Sequence, residues 1–181
     1  MLTGEMIDLI TTHTIGCVAT VRPDGAPAVS PKATFLVLDD RTIAFANIRS
    51  QGTVENLRRR PDVEVDFIDP FARLGCRVRG HARYVLRDDA EAPLRTKFKE
   101  KWPDLYDLVH GIVTIDVTEA EALTSPSYDV GAVAGQLAEH WLRRYATDLG
   151  FAVTRQAHDG VLERSIALEE AEADRRQFVR K

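Results

Sequence analysis

Residues 30–56, SPKATFLVLDDRTIAFANIRSQGTVEN, run from an extended segment through a tight turn into a second extended segment and then into a helix. The first part carries Ser30-Pro31-Lys32, the turn is Asp39-Asp40, and Thr42–Ile48 contains Ala46-Asn47. A polar loop follows, Arg49-Ser50-Gln51-Gly52-Thr53. Beyond it Val54 and Leu57 stand three apart, Asn56 lies between them, and Pro61 stops the segment, so about two turns of helix are predicted after Ser50. The start of such a helix presents unpaired backbone N–H groups and the positive end of the helix dipole, here beside two hydroxyls, Ser50 and Thr53. This is chemistry suited to a phosphate. Two plainer readings stay open: proline and lysine blunting an edge strand, and an ordinary helix N-cap with no ligand.

The surrounding chain alternates with period two over much of its length. Thr14–Val21 places Ile15, Cys17, Ala19 and Val21 on one face and meets a turn at Arg22-Pro23-Asp24-Gly25, which predicts a strand entering a hairpin. Pro27–Leu38 and Thr42–Ile48 complete an expected three-stranded meander. Val63–Ile68 forms a fourth strand, Cys76–Leu86 a fifth and Gly111–Val117 a sixth, and the fifth carries Arg77, Arg79, His81 and Arg83 on one face. Helices are predicted at Thr3–Ile10 with Thr3 as N-cap, at Asp88–Lys101, and at Gln136–Leu149 closed by Gly150; the tail Val161–Val179 also reads as helical.

The expected fold is therefore mainly β with α additions: a six-stranded antiparallel split barrel over residues 12–120 with a helical extension over 131–181, forming one domain. A doubly wound sheet would need a helix after nearly every strand, and the first three have none.

Composition limits the partners. With 44% hydrophobic and 29% charged residues the chain is of globular type, and a net charge of −4 gives no global attraction for nucleic acid or anionic membrane. No apolar run approaches a membrane span, and the amino end MLTGEMIDLITTH lacks a leader's basic and apolar regions, so a cytoplasmic location is expected. Cys17 and Cys76 form no C-x-x-C pair and read as small buried hydrophobes, and the five scattered histidines suggest no metal site.

The order of a Ser-Pro-Lys strand, a hairpin, a strand ending near Asn47, a Ser50 loop and a short helix with Asn56-Leu57 resembles the FMN-binding segment of the pyridoxamine-phosphate-oxidase-like split barrels, in particular the predicted flavin-nucleotide-binding branch. The likeness runs from about Thr3 to Val117 and extends to Arg77-Val78-Arg79-Gly80. It implies that the Ser30, Pro31, Lys32 and Ala33 backbone lies along the isoalloxazine edge and that Lys32 reaches the pyrimidine ring or the ribityl chain. It further implies that Ala46 and Asn47 flank ribityl and phosphate, that Ser50, Gln51, Gly52 and Thr53 cradle the phosphate, and that Asn56 steadies the loop. The oxidase itself has Arg-Lys after the loop serine, where this chain has Gln51-Gly52. Charge neutralisation then falls to Arg49, Lys32 or the fifth-strand arginines, and true oxidase activity is not expected.

The resemblance also implies FMN as cofactor, a homodimer with its sites at the subunit interface, and a small organic substrate with NAD(P)H as a candidate electron donor. Rival readings on the same barrel are a flavin- or haem-binding carrier or sensor and a deazaflavin-dependent reductase. Tyr128, His81 and His140 are candidate proton donors, with no catalytic residue singled out. Trp141 and Tyr145, four apart on one helix face, are candidates to cover a ring or to pack an interface.

Overall fold

The computed structural model describes the backbone of residues 1–158 and 161–168, with side chains through Phe151. The chain divides into two compact units, one formed by Met1–Asp69 with Leu74–Pro126, the other by Pro70–Arg73 with Ser127 onward.

In the first unit the elements are α1 (Gly4–His13), β1 (Gly16–Val21), β2 (Pro27–Lys32), β3 (Phe35–Asp39), β4 (Thr42–Asn47), α2 (Gln51–Arg59), β5 (Asp62–Asp69), β6 (Leu74–Leu86), α3 (Ala92–Lys101), α4 (Pro103–Tyr106) and β7 (Gly111–Thr124). Seven strands form one antiparallel sheet in the order β2-β1-β5-β6-β7-β4-β3. The mainly-β split-barrel class stands, with one more strand than expected. The extra strand arises because Pro27–Leu38 is not continuous: β2 pairs with β1, β3 pairs with β4, and the halves lie at opposite edges of the sheet. Ala33-Thr34 makes the break. Thr34 Oγ1 accepts from the Ala46 N–H at 3.1 Å and donates to the Ala46 carbonyl at 3.3 Å. It thereby satisfies backbone groups that a departing strand would leave unpaired.

The core is aromatic at its centre. Phe35, Phe45 and Phe67 are fully buried, with Phe35 edge-on to Phe67 at 4.7 Å and tilted against Phe45 at 5.3 Å. Val18, Ile43, Val65, Val78, Val113 and Ile115 surround them, and Met6 and Ile10 of α1 complete the cluster. Thr3 caps α1 through Met6 N–H, as expected. A smaller cluster of Ala44, Ala46, Phe98, Val109 and Ile112 involves α3.

On β1 the buried face is Gly16, Val18 and Thr20, opposite to the expected one. A Cβ at Gly16 would come within 2.8 Å of Phe35 and Val65 and within 2.7 Å of Phe67, so glycine here makes room for the rings. Ile15 and Cys17 point outward as a consequence, and the expectation of a buried Cys17 is corrected. Cys76 does lie in the core, where burial pushes its thiol up to about 11.

The helix expected over Asp88–Lys101 starts later than its sequence suggests. Asp88 and Asp89 sit in a 3-10 turn (Arg87–Asp89), and α3 begins only at Ala92 after Glu91. No helix among the described residues is long and apolar enough to cross a membrane.

The second unit contains α5 (Ala134–Asp148), followed by Gly150 at φ +79° in the C′ role read from sequence. The Pro70–Arg73 segment packs on it: the Arg73 guanidinium stacks 3.7 Å over Trp141 and donates to Tyr145 Oη at 3.1 Å, while Phe71 meets Tyr145 edge-on. Trp141 and Tyr145 thus share a face as predicted, and that face is covered within the unit. The tail departs from expectation. Val161–Leu168 is a strand, β9, paired antiparallel with β8 (Phe151–His158) in a separate two-stranded sheet. The strand-forming residues Val153, Val161 and Ile166 suit this pairing, which outweighs the weak helical spacing of the tail. The rest of the predicted tail helix lies outside the described residues.

Candidate functional site

β1 and β2 reach the site through alternation. Thr20 on β1 and Ala28 and Ser30 on β2 share the inward face, directly across from α2. Together with Arg22, Arg49, Ser50, Gly52, Thr53 and Asn56 they line a pocket of about 300 Å³. Half of the sequence-predicted site residues therefore meet in one place, and neither Asp nor Glu lines it.

Local chemistry keeps the pocket open to a ligand. Ser50 precedes α2 but makes no side-chain cap bond, and its own N–H is anchored by Asn47 Oδ1 at 3.0 Å. The first intrahelical donor is Val54 N–H, bonded to the Ser50 carbonyl at 3.0 Å. The N–H groups of Gln51, Gly52 and Thr53 are thus the unsatisfied first turn of the helix. Asn56 does not bond to the loop; its Nδ2 donates to Thr20 Oγ1 at 2.9 Å, with both residues buried. It fixes α2 against β1, which sets the pocket's width.

Lys32 is 7% exposed, and its ammonium donates to Ser30 Oγ and, at 3.3 Å, to the Pro31 carbonyl. It forms no ion pair with any described carboxylate. Desolvation holds its pKa below the ordinary lysine value. Its charge stands behind Ser30, which lines the pocket. Pro31 lies on the other, exposed face of β2, Ala46 is buried at the Thr34 bridge, and Asn47 and Gln51 line a neighbouring hollow. Ala33 sits in the β2–β3 break.

Arg22 and Thr20 were not singled out in the sequence. Arg22 belongs to the hairpin turn, where Asp24 holds it at 2.7 Å, and that turn carries it to the pocket rim. The available signal was the alternation of β1: once Gly16 and Val18 are taken as inward, Thr20 follows.

The fifth-strand arginines (now on β6) do not line this pocket and are engaged by carboxylates instead. Arg77 pairs with Asp66 at 2.8 Å and Glu64 at 3.1 Å, and Arg79 with Glu64 at 2.5 Å, Glu119 at 2.9 Å and Glu121 at 3.2 Å. These bonds, first to Asp66 for Arg77 and to Glu64 for Arg79, raise both guanidinium pKa values further. Likewise His81 faces Asp62 at 3.2 Å and Arg83 faces Asp116 at 3.4 Å.

The family described as pyridoxamine 5'-phosphate oxidase matches residues 2–141. The chain belongs to that family. Among solved structures, HupZ of Group A Streptococcus is 27% identical, with 69% of this chain and 96% of that one covered and a TM-score of 0.60. Two lower-identity structures share the fold. One is a Clostridium acetobutylicum protein related to a Bacillus subtilis general stress protein, of the pyridoxinephosphate oxidase family, at 15% identity, 66% and 86% coverage and TM-score 0.53. The other is an FMN-binding protein of Syntrophomonas wolfei, at 13% identity, 66% and 84% coverage and TM-score 0.56. Among curated protein sequences none matches. The family resemblance read over about Thr3–Val117, strongest over Ser30–Leu57, is borne out by the match over residues 2–141.

Proposed function

We propose that the chain binds FMN non-covalently, with the phosphate in the pocket at the start of α2, and serves as an FMN-dependent oxidoreductase for a small organic substrate. The observation that carries the reading is the carboxylate-free pocket in which Arg49, Ser50, Thr53 and the open first turn of α2 face Ser30, itself backed by the Lys32 ammonium. Membership of a flavin-binding family and the printed name of the S. wolfei neighbour support a flavin. When bound, FMN would supply hydride or electron transfer, with NAD(P)H as the candidate donor. The protein's part is to fix the phosphate by charge-assisted hydrogen bonds and to shield the ring from water. Gln51-Gly52 in place of two basic residues argues against pyridoxamine-phosphate oxidation itself.

Freshly purified protein is expected to show flavin absorbance, and denaturation is expected to release FMN. If the protein is colourless, titration with FMN should quench flavin fluorescence. Absence of both would remove the flavin function and leave the barrel untouched.

The reading includes a two-fold dimer. Across β1 and β2, Cys17 faces Pro31, Ala19 faces Val29 and Val21 faces Pro27, an outward apolar stripe that Ile15 extends. Beside it run the paired charges of β5, β6 and β7, whose mixed signs suit contact with an identical surface. Light scattering should report twice the chain mass, and a monomeric mass at micromolar concentration would rule the dimer out.

A further inference from the structure

Alternation along β2 puts Ser30 and Lys32 side by side on one face of the strand. Ser30 lines the pocket at α2, and the buried Lys32 amino group behind it is bonded to Ser30 Oγ. A buried amine with no described carboxylate beside it is costly to keep charged. Gly16 of β1, the register partner of Lys32, brings no charge, and the charged side chains lining the adjoining pocket are the guanidinium groups of Arg22 and Arg49. Apart from Ser30 Oγ and the Pro31 carbonyl, no described group favours the ammonium over the neutral amine, and desolvation holds its pKa below the ordinary lysine value. Once Lys32 has lost its proton the bond reverses: the Ser30 hydroxyl donates and the amine accepts. A serine hydroxyl bonded to a neutral amine is an activated nucleophile, the counterpart of a serine–histidine pair.

The facing wall supplies what such a nucleophile needs. Gly52 and Thr53 line the pocket across from β2, and their backbone N–H groups belong to the unsatisfied first turn of α2. Donors of this kind stabilise the oxyanion that forms when a carbonyl is attacked. Arg22 and Arg49 give the lining a positive charge that no lining Asp or Glu offsets, which favours an acyl compound with an anionic substituent over a neutral or cationic one. A volume of about 300 Å³ suits a small molecule.

We infer that Ser30 is an acyl-accepting nucleophile with Lys32 as its base, and that the pocket, when no flavin phosphate fills it, takes small esters or thioesters carrying an anionic group. This goes beyond the flavin reading and does not depend on it. In the first step the Ser30 hydroxyl proton passes to the Lys32 amine while Oγ bonds to the carbonyl carbon. The bond to the leaving group then breaks, and that group departs with the electron pair, taking the proton from Lys32 when it is an alkoxide or thiolate. Water releases the acyl group in the second step: its proton passes to Lys32, its oxygen bonds to the carbonyl carbon, and the ester bond to Oγ breaks as Ser30 regains the proton from Lys32.

The test treats the full chain with para-nitrophenyl hydrogen succinate and, for comparison, neutral para-nitrophenyl acetate, with acid quenching within the first turnover and peptide mass spectrometry. The expected result is a succinyl group on Ser30, formed at least about tenfold faster than the acetyl group. The wild-type rate should climb with pH and level off once Lys32 is neutral, at a pH below the ordinary lysine value. Ser30→Ala should carry no label in that peptide, and Lys32→Met should label Ser30 about a hundredfold more slowly and without the levelling in its pH profile. The Ser30→Ala result and the wild-type pH profile decide the matter even if Lys32→Met does not fold. Label found only on other residues, a rate indifferent to pH, or a Lys32→Met chain that labels Ser30 as fast as wild type would overturn the inference. Equal rates for the two esters would overturn its substrate class.

Discussion

Phe35→Ala is expected to destabilise the first unit by about 3–5 kcal/mol, the range for emptying an aromatic site in a packed core. Phe35 has no exposed surface, and it alone touches both of its ring neighbours, Phe67 on β5 and Phe45 on β4. It also sits on an edge strand of the sheet, where the chain has just left β1 for β4. The cavity would open beside Gly16, whose missing side chain offers nothing to fill it. Collapse is therefore restricted and the cost should lie towards the upper part of the range. At this chain length each kcal/mol shifts the melting temperature by about 2–4 °C, so a fall of roughly 6–20 °C is expected in a thermal melt. Phe35→Leu, which keeps most of the volume, should cost a fraction of that. A loss below about 1 kcal/mol for the alanine variant would mean that β3, β4 and β5 share no common core.

That core could be read from sequence only in part. The inward positions of β5 and β6, Val63, Val65, Phe67, Cys76 and Val78, follow from strict alternation, and the structure buries all of them. On β1 the same rule fails, because the more apolar face is the outward one and the inward face carries Gly16 and Thr20. Period-two patterning reports where apolar side chains are, and on a strand that is apolar on both faces it does not select the buried one. The break at Ala33-Thr34 was equally hidden. Nothing in its residue types forbids a continuing strand, and its cause is a long-range bond from Thr34 to Ala46.

Of the candidate site, the loop at the start of α2 is the part that stands out in the sequence. Phosphate-type chemistry concentrates in one short loop, so Ser50, Gly52 and Thr53 could be selected from hydroxyls, a glycine and a helix start, and the pocket contains all three. The partners reaching it from other elements could not be selected that way. Arg22 looked like turn chemistry, which it also is, and the arginines of β6 looked available because their carboxylate partners on β5 and β7 are distant in sequence.

Lys32→Met is expected to act in opposite directions on the ligand-free and the flavin-bound protein. Among the described residues the buried Lys32 ammonium is bonded to Ser30 Oγ and the Pro31 carbonyl. Lys32 does not line the pocket itself, and its charge acts on a ligand through Ser30, which does. Removing a buried charge that no described carboxylate balances should raise apo stability by about 0.5–2 kcal/mol, a gain of a few degrees in melting temperature. Losing the charge that polarises Ser30, worth up to about 1.5 kcal/mol, should weaken FMN by up to roughly tenfold. The pH dependence separates this account from simple repacking. Because burial lowers the folded-state pKa, the unfolded chain binds the Lys32 proton more firmly, and wild-type stability rises with pH between the lowered value and the unfolded value of about 10.4. Lys32→Met has no such proton to lose, so its advantage should be full at neutral pH and shrink as pH climbs through that window. A variant that melts lower than wild type at neutral pH, or that binds FMN unchanged, would show that Ser30 and Lys32 serve the edge strand alone. In that case the pocket's charge would rest on Arg49 and Arg22, and the proline and lysine of β2 would keep their plainer role of blocking unwanted strand pairing.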